Sequence, residues 1–189
     1  MAALGRPRDP GLDEMAMQTA IELIVESGFP ALTMERVAAR ASVSRAALYR
    51  RWPNKVELVA DAVESFALSQ GPLPDTGRLP DDITELLYGL VRNRSANLET
   101  YEALVGAMAG DPELGKRCRE ALKAKFSESL RAIVSRAVER GELPTSTDVE
   151  LLATVVPALA FYRARALGQQ VDCGYVDRVV AQFFSPPGA

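Results

Sequence analysis

Apolar residues recur along most of the chain at the spacing that places them on one face of an α-helix. The clearest case is residues 13–27, where Met17, Ile21, Ile24 and others form one apolar face before Gly28, which is suited to ending a helix. Alternating patterns typical of strands are short. The pattern predicts an all-α fold of about nine helices and no sheet.

Three further helices are predicted close behind the first. Thr33 is a good N-cap for a short second helix, and residues 41–44 are too few for anything but a tight turn. Ser44 can cap a third short helix, which Pro53 prevents from continuing. A fourth helix is expected from about Lys55 to residue 69.

The composition changes at residues 71–80, where three prolines and two glycines predict a linker. Asp82, Asp111 and Thr147 are the predicted N-caps beyond it, Thr147 forming a capping box with Glu150. The five helices expected there cover residues 82–97, 99–109, 111–141, 147–167 and 172–184. We predict a helix-turn-helix domain at 1–58, including an N-terminal arm at 1–11, and an effector-binding and dimerisation domain at 59–189.

Two short helices joined by a tight turn and packed on a longer one form a helix-turn-helix, whose second short helix enters the DNA major groove. That helix reads SRAALYRR, and residues 36–56 carry six basic side chains and no acidic one. Ala46 and Ala47 would let the backbone approach the groove, whereas Leu48 and Trp52 should face inward. The alternative is a helical hairpin with a solvated basic face.

The run TMERVAARASVSRAALYRRWPNKVELV resembles the DNA-binding segment of TetR-family (tetracycline-repressor-like) transcriptional regulators. The shared marks are Thr33 opening the second helix, a Val-Ser turn, a Leu-Tyr pair, Lys55 opening the fourth helix, and Gly28-Phe29 before them. The later DPEL and RGEL motifs and a proline in the eighth helix resemble, more loosely, one C-terminal subgroup. The resemblance implies a one-component regulator with a C-terminal effector-binding and dimerisation domain.

The resemblance also implies individual DNA contacts. Thr33 and Lys55 match phosphate-contacting positions, and Tyr49 matches a tyrosine that contacts the backbone or a thymine methyl. Ser44 and Arg45 match the opening of the recognition helix, where arginine can pair with guanine O6 and N7. The predicted DNA-binding residues are Arg6, Arg8, Thr33, Ser44, Arg45, Ala46, Tyr49, Arg50 and Lys55.

Arg6 and Arg8 belong to an Arg-Pro-Arg arm that would lie in a narrow, A·T-rich minor groove. The alternative is a disordered tail.

From residue 149 to 162 the apolar residues cover nearly the whole circumference of the predicted helix, and Pro157 is expected to kink it. Such a helix must be buried on more than one side, which a two-fold dimer would achieve. The resemblance implies the same interface, formed by the last two long helices; the alternative is the central helix of a monomer. The predicted interface residues are Leu151, Val155, Leu159, Val176, Val180 and Phe183.

A pocket for a small, largely apolar effector is expected in the C-terminal domain. Its candidate lining residues, each of which could instead pack in the core, are Tyr88, Tyr101, Met108, Phe126, Phe161 and Tyr162. Cys118 lies in the basic run KRCRE, where neighbouring charges would lower its pKa and suit a redox sensor.

The composition of the 189 residues argues against catalysis. The chain has no histidine, which removes the commonest general base and the commonest metal ligand. Its two cysteines are too few for a Cys-rich zinc site. No phosphate-binding loop or dinucleotide-binding turn is recognisable. We therefore predict no catalytic residue, no metal and no cofactor.

The net charge of −3 argues, taken alone, against a DNA partner. However, residues 1–56 carry eight basic and six acidic side chains, whereas residues 57–189 carry fourteen and nineteen. The acidity therefore belongs to the predicted effector domain.

No signal peptide or membrane span is recognisable, so we expect a protein of the bacterial cytoplasm with no membrane partner. The predicted function is a repressor that binds a palindromic operator on double-stranded DNA as a homodimer and is released by the effector. The alternative is a non-enzymatic helical interaction module that does not bind DNA.

Overall fold

The computed structural model describes residues 10–67 and 72–184, and all regular structure in this part of the chain is helical. A π-helical turn at Tyr162–Ala166 follows the eighth helix. The α-helices are α1 (Pro10–Ala31), α2 (Met34–Arg40), α3 (Arg45–Arg51), α4 (Lys55–Ala67), α5 (Leu79–Ala96), α6 (Leu98–Gly110), α7 (Pro112–Glu139), α8 (Val149–Phe161) and α9 (Cys173–Phe183). For the described residues, this confirms the predicted all-α fold of nine helices.

Gly28 interrupts α1 near its end, with φ 76° and ψ 163°. A positive φ is a conformation that glycine adopts without steric cost. The sequence predicts this glycine as the end of the first helix, and the regular helix does stop there. The difference is that ψ is extended rather than left-handed helical, so the chain continues through a further turn to Ala31.

The local capping predictions for α2 and α3 are confirmed. The side chain of Thr33 accepts a hydrogen bond from the backbone N–H of Arg36 at 3.2 Å. Ser44 accepts one from the N–H of Ala47 at the same distance. Each hydroxyl therefore satisfies a backbone donor that the first turn of a helix would otherwise leave unpaired.

The predicted start of α5 is wrong. The helix begins at Leu79, whose backbone N–H donates to the Glu142 carboxylate at 2.7 Å. Asp82, the predicted N-cap, is fully buried inside the helix and pairs with Arg140 at 3.3 Å. The cap comes from a residue 63 positions away, which helix-start patterns in the sequence do not reveal.

The boundaries of α8 also differ from the prediction. Asp148, rather than Thr147, is the N-cap, and its carboxylate accepts from the N–H of Leu151 at 2.9 Å. The α-helix ends at Phe161 instead of continuing to Leu167, because the chain changes to the π-helical turn. Pro157 lies inside α8, as its sequence position requires.

The described residues form two compact units. The first unit comprises α1–α4 up to residue 66, α6 and the start of α7 to residue 121. Its largest fully buried side chains are Leu32, Val37, Leu48, Leu58, Val59 and Leu114.

The second unit comprises α5, the rest of α7, α8 and α9. Its core includes Leu79, Ile83, Leu130, Ile133, Val134, Val156 and Val176. The predicted functional domains, 1–58 and 59–189, stay a prediction, because the units are defined by packing rather than by function. In the part of the chain described, no helix is both long and apolar enough to cross a membrane.

Candidate nucleic-acid interface

One face of α3 is exposed and carries two arginines. Ala47 and Leu48 lie on the opposite, buried face. The prediction that Ala47 lets the backbone approach DNA is therefore wrong, because its methyl group packs inside the unit. The exposed residues of α3 from the predicted interface are Arg45, Ala46, Tyr49 and Arg50.

Trp52 holds the end of α3 in place. Its side chain is 5% exposed, which confirms the prediction that it faces inward. The indole Nε1 donates to Oδ2 of Asp61 on α4 at 2.8 Å. The orientation of α3 is thus fixed by a buried contact on the side away from its exposed residues.

Four of the six basic side chains in residues 36–56 form contacts within the first unit, and Lys55 is one of them. Arg40 pairs with Glu26 on α1 at 2.6 Å, and this hydrogen bond lowers the pKa of the Glu26 carboxyl. Arg36 donates to the carbonyl of Ala31 at 2.5 Å. Arg51 forms an ion pair with Asp13. The outward basic charge on α3 is therefore carried by Arg45 and Arg50.

Glu35 is a residue of this surface that the sequence reasoning missed. The hydroxyl of Tyr49 donates to Oε1 of Glu35 at 3.3 Å. The pKa of Glu35 is lowered, mainly by a hydrogen bond with its own backbone and further by the charge of Arg45. Glu35 immediately precedes the acid-free run, and only the packing of α2 against α3 shows that its carboxylate reaches the tyrosine.

Lys55, a predicted phosphate contact, lies at the start of α4 and joins it to the end of α1. Its ammonium group donates to the carbonyls of Phe29 at 3.0 Å and Leu32 at 3.2 Å. It also lies 4.2 Å from the centre of the Phe29 ring. An ammonium group has three N–H donors, so these two bonds leave one for an outside acceptor.

The other predicted phosphate contact, Thr33, and the predicted contact Ser44 are both exposed caps of short helices. Arg6 and Arg8 lie outside the described residues. Their placement in a minor groove stays a prediction.

The predicted dimer interface is exposed at two of its six positions. Leu151 is 63% exposed and Phe183 is 49% exposed, whereas Val155 and Leu159 are partly buried. The remaining two require a correction. Val176 and Val180 are buried in the core of the second unit, where they have no surface to offer a partner.

The predicted pocket residues are divided between the two units. Tyr101 and Met108 belong to the first unit, and the ring of Tyr101 lies 5.6 Å from that of Phe66. Tyr88 and Phe126 belong to the second unit, where the Tyr88 hydroxyl donates to Asp177 at 2.5 Å.

Of the other two predicted pocket residues, one is described by the structure. Tyr162 is 59% exposed, which places it on the surface. The side chain of Phe161 lies outside the described part of the chain.

The second unit contains a cleft of about 370 Å³ that the sequence did not predict. Charged and apolar side chains from α5, α7 and the preceding segment share its wall. The lining residues are Pro72, Leu73, Pro74, Glu85, Leu86, Gly89, Arg92, Lys125, Glu128, Ser129 and Ala132.

The thiol of Cys118 is fully buried in α7. Burial raises its pKa to about 11, and the charges of Arg117 and Arg119 offset this effect only in part. The expectation of a lowered pKa is wrong, because the loss of hydration disfavours the thiolate more than the neighbouring arginines favour it. A redox-sensing role loses its support.

Helix α3 packs with α1, α2 and α4 and presents Arg45 and Arg50 outward. This is the arrangement of a helix-turn-helix DNA-binding protein. Residues 16–62 match the family model "Bacterial regulatory proteins, tetR family". Residues 73–183 match the family model "Tetracyclin repressor-like, C-terminal domain". The chain belongs to the TetR family of DNA-binding transcriptional regulators, whose members are generally not enzymes.

Individual proteins support the same assignment. The chain is 31% identical to the uncharacterized HTH-type transcriptional regulator YdeS of Bacillus subtilis over 95% of this chain and 91% of YdeS. It is 31% identical to the DNA-binding transcriptional repressor TetR of Mycobacteroides abscessus over 95% of this chain and 93% of that repressor. Among solved structures, the TetR family transcription regulator SCO0332 matches with a TM-score of 0.68 and 25% identity, covering 92% of this chain and 96% of SCO0332.

Proposed function

We propose that the protein is a repressor that binds a palindromic operator as a homodimer and is released by a small, largely apolar effector. The observation that carries the proposal is the outward placement of Arg45 and Arg50 on α3, whose opposite face is buried. The similarity to the M. abscessus repressor supports the direction of regulation. The protein would act in the bacterial cytoplasm, where its operator lies.

The residues of the candidate interface have distinct roles in this proposal. Arg45, in the first turn of α3, pairs with a guanine, and Tyr49 contacts the backbone or a thymine methyl next to it. Thr33 and Lys55 contact phosphates on either side, which positions the helix without reading sequence. The arm that contains Arg6 and Arg8 adds contacts in the minor groove.

The dimer is proposed to form through the exposed apolar side chains of the second unit. Leu151 and Phe183 supply the predicted surface, and Tyr162 and Leu167 add exposed apolar area at 59% and 49%. We propose that these side chains together form an apolar patch of the kind that marks interaction sites on soluble proteins. A two-fold dimer places its recognition helices about 34 Å apart or at multiples of that distance, which matches a palindrome.

Release requires an effector whose affinity differs between two conformations of the protein. The effector must bind the conformation that cannot hold the operator more tightly than it binds the conformation that holds DNA. The cleft of about 370 Å³ in the second unit provides space for such a molecule. Helix α4, which starts at Lys55 and holds Trp52 through Asp61, is the proposed lever on the recognition helix.

The proposal is tested by selecting operator sequences from random duplex DNA and measuring affinity by fluorescence anisotropy at several salt concentrations. Arg45→Ala should weaken binding at least about tenfold and relax selectivity at one base pair. Arg94→Ala, an exposed arginine of α5, removes the same charge elsewhere and should leave affinity unchanged. Equal, salt-independent affinity for selected and scrambled DNA would instead favour the helical interaction module.

A further inference from the structure

The first unit contains its own cleft, of about 530 Å³, between α1 and α6. Small-molecule sites in proteins typically enclose about 300–1,000 Å³ and have mostly apolar walls with a few polar groups. This cleft has that character: its lining residues are Ile24, Val25, Gly28, Phe29, Pro30, Lys55, Ala103, Gly106, Ala107, Gly110 and Asp111.

The α6 wall of the cleft is built from residues with little or no side chain. A Cβ atom added at Gly106 or at Gly110 would meet no protein atom within 4 Å. The space in front of both glycines is therefore open. Gly115 shows the contrast, because a Cβ there would clash with the carbonyl oxygen of Met108. The cleft at α6 is thus room that the protein itself does not fill.

Lys55 gives the cleft a positive group with remaining hydrogen-bonding capacity. Two of its three N–H donors are bonded to the carbonyls of Phe29 and Leu32. Asp111, which also lines the cleft, accepts a bond from the N–H of Leu114 at 2.9 Å at the start of α7, where the positive end of the helix dipole offsets part of its charge. The Lys55 ammonium is the lining side chain that favours an anion.

We propose that this cleft is a binding site for a small anion with an apolar chain, such as a medium-chain carboxylate. The carboxylate accepts the third N–H of Lys55. The apolar part lies along Phe29 and the glycine face of α6. The site is separate from the cleft of the second unit to which we assign the effector.

Occupancy of the site would also oppose DNA binding, and this consequence rests on the proposed function of Lys55 as a phosphate contact. The same N–H donor cannot bond a ligand carboxylate and a DNA phosphate together. Because the ligand neutralises the ammonium charge, the electrostatic attraction to phosphate falls as well. The ligand would therefore act as a second inhibitor of operator binding.

Decanoate is the probe for the binding test, followed by the amide signals of nitrogen-15-labelled glycine in the intact protein. The chain has thirteen glycines, and Gly106 and Gly110 report the proposed cleft while Gly89 reports the cleft of the second unit. Saturable shifts at Gly106 and Gly110 support the proposal. Shifts confined to Gly89, or none at all, would overturn it.

Two leucine variants on α6 distinguish the effect of filling the cleft from the effect of adding a leucine elsewhere on this helix. Gly106→Leu places a side chain in the open space and should weaken decanoate binding at Gly110 at least about tenfold. Ala109→Leu adds the same side chain at an exposed position outside the lining and should leave decanoate binding unchanged.

Decanol, with the same chain and no charge, should bind about tenfold more weakly than decanoate. Equal affinities for decanol and decanoate would overturn the assignment of an anion.

Operator binding provides the last measurement. Decanoate should reduce the operator affinity of the wild-type protein and of Ala109→Leu but not of Gly106→Leu. An unaltered wild-type affinity at saturating decanoate would overturn the inhibitory consequence. If no operator binding is seen without decanoate, the proposed function fails, whereas the glycine shifts still decide whether the cleft binds the anion.

Discussion

The indole of Trp52 donates a hydrogen bond to the carboxylate of Asp61, with Nε1 2.8 Å from Oδ2. This bond joins the residue that ends α3 to the middle of α4. Lys55, at the start of α4, bonds in turn to the carbonyl of Phe29 in the last turn of α1 and to that of Leu32, the residue after this helix. Helix α4 therefore holds both the recognition helix and the helix that supports it.

Trp52→Phe should lower the free energy of unfolding by about 1–3 kcal/mol, because it keeps an aromatic ring but leaves the Asp61 carboxylate without its donor. Urea denaturation followed by circular dichroism measures the loss. Asp61→Asn retains an acceptor oxygen at the same place and should cost less. A Trp52→Phe variant as stable as the wild type would show that the hydrogen bond contributes nothing.

The ion pair between Arg40 and Glu26 should give the stability of the first unit a pH dependence. Its hydrogen bond lowers the pKa of Glu26 below the ordinary value of 4.5. A carboxyl whose pKa is lower in the folded protein stabilises the fold above the pKa of the unfolded chain and loses that effect as pH falls through the lowered value. Because nearly half of each side chain is exposed, the effect is small and weakened by salt.

The measurement is the melting temperature of wild type and Glu26→Gln across the acid range. The difference should be present at neutral pH, shrink on acidification and shrink when salt is added. Glu14→Gln, on the exposed side of the same helix, is the control. A difference that grows as the pH falls would contradict the sign of the shift.

Cys118 should react with thiol reagents far more slowly than Cys173. Cys118 is fully buried and its pKa is raised to about 11, whereas Cys173 is only partly buried. Ellman's reagent should therefore label one thiol quickly in the native protein and the second only as the protein unfolds. Cys173→Ser should remove the fast phase; a fast phase that survives in this variant would mean that Cys118 is accessible.

Features set by neighbouring residues were predictable from the sequence. Thr33 and Ser44 cap their helices through backbone donors three residues ahead, and Asp111, another predicted cap, does the same for α7. The inward direction of Trp52 follows from helical spacing. These features depend on local geometry, which one sequence contains in full.

Features set by distant residues were not predictable. The cap of Leu79 comes from Glu142, and the burial of Asp82 is compensated by Arg140. The lining of the predicted pocket stays a prediction for a related reason: aromatic residues on helical faces do not indicate which faces meet. Lys55 shows the limit within the candidate interface, because the family resemblance implies a phosphate contact but does not reveal the two carbonyls that the ammonium already binds.

Arg140 should contribute more to the free energy of unfolding than an arginine that forms an ion pair on the exposed surface. It contacts Asp82 at 3.3 Å, Asp75 at 3.4 Å and Glu142 at 2.6 Å, and the hydrogen bond with Glu142 is the main cause of its raised pKa. Asp82 is fully buried, and Thr76 donates to it from both its backbone and its hydroxyl. Without Arg140, a buried carboxylate would keep these two donors but lose its cation.

Arg140→Met should therefore lower the free energy of unfolding by about 3 kcal/mol, at the lower end of the range for breaking a buried ion pair because Thr76 still donates to Asp82. Arg131→Met is the matched control, since Arg131 pairs with Glu150 at 2.9 Å on the exposed surface and should cost less than about 1 kcal/mol. Urea denaturation of both variants at neutral pH makes the comparison. Equal losses in the two variants would mean that Thr76 alone satisfies the buried carboxylate.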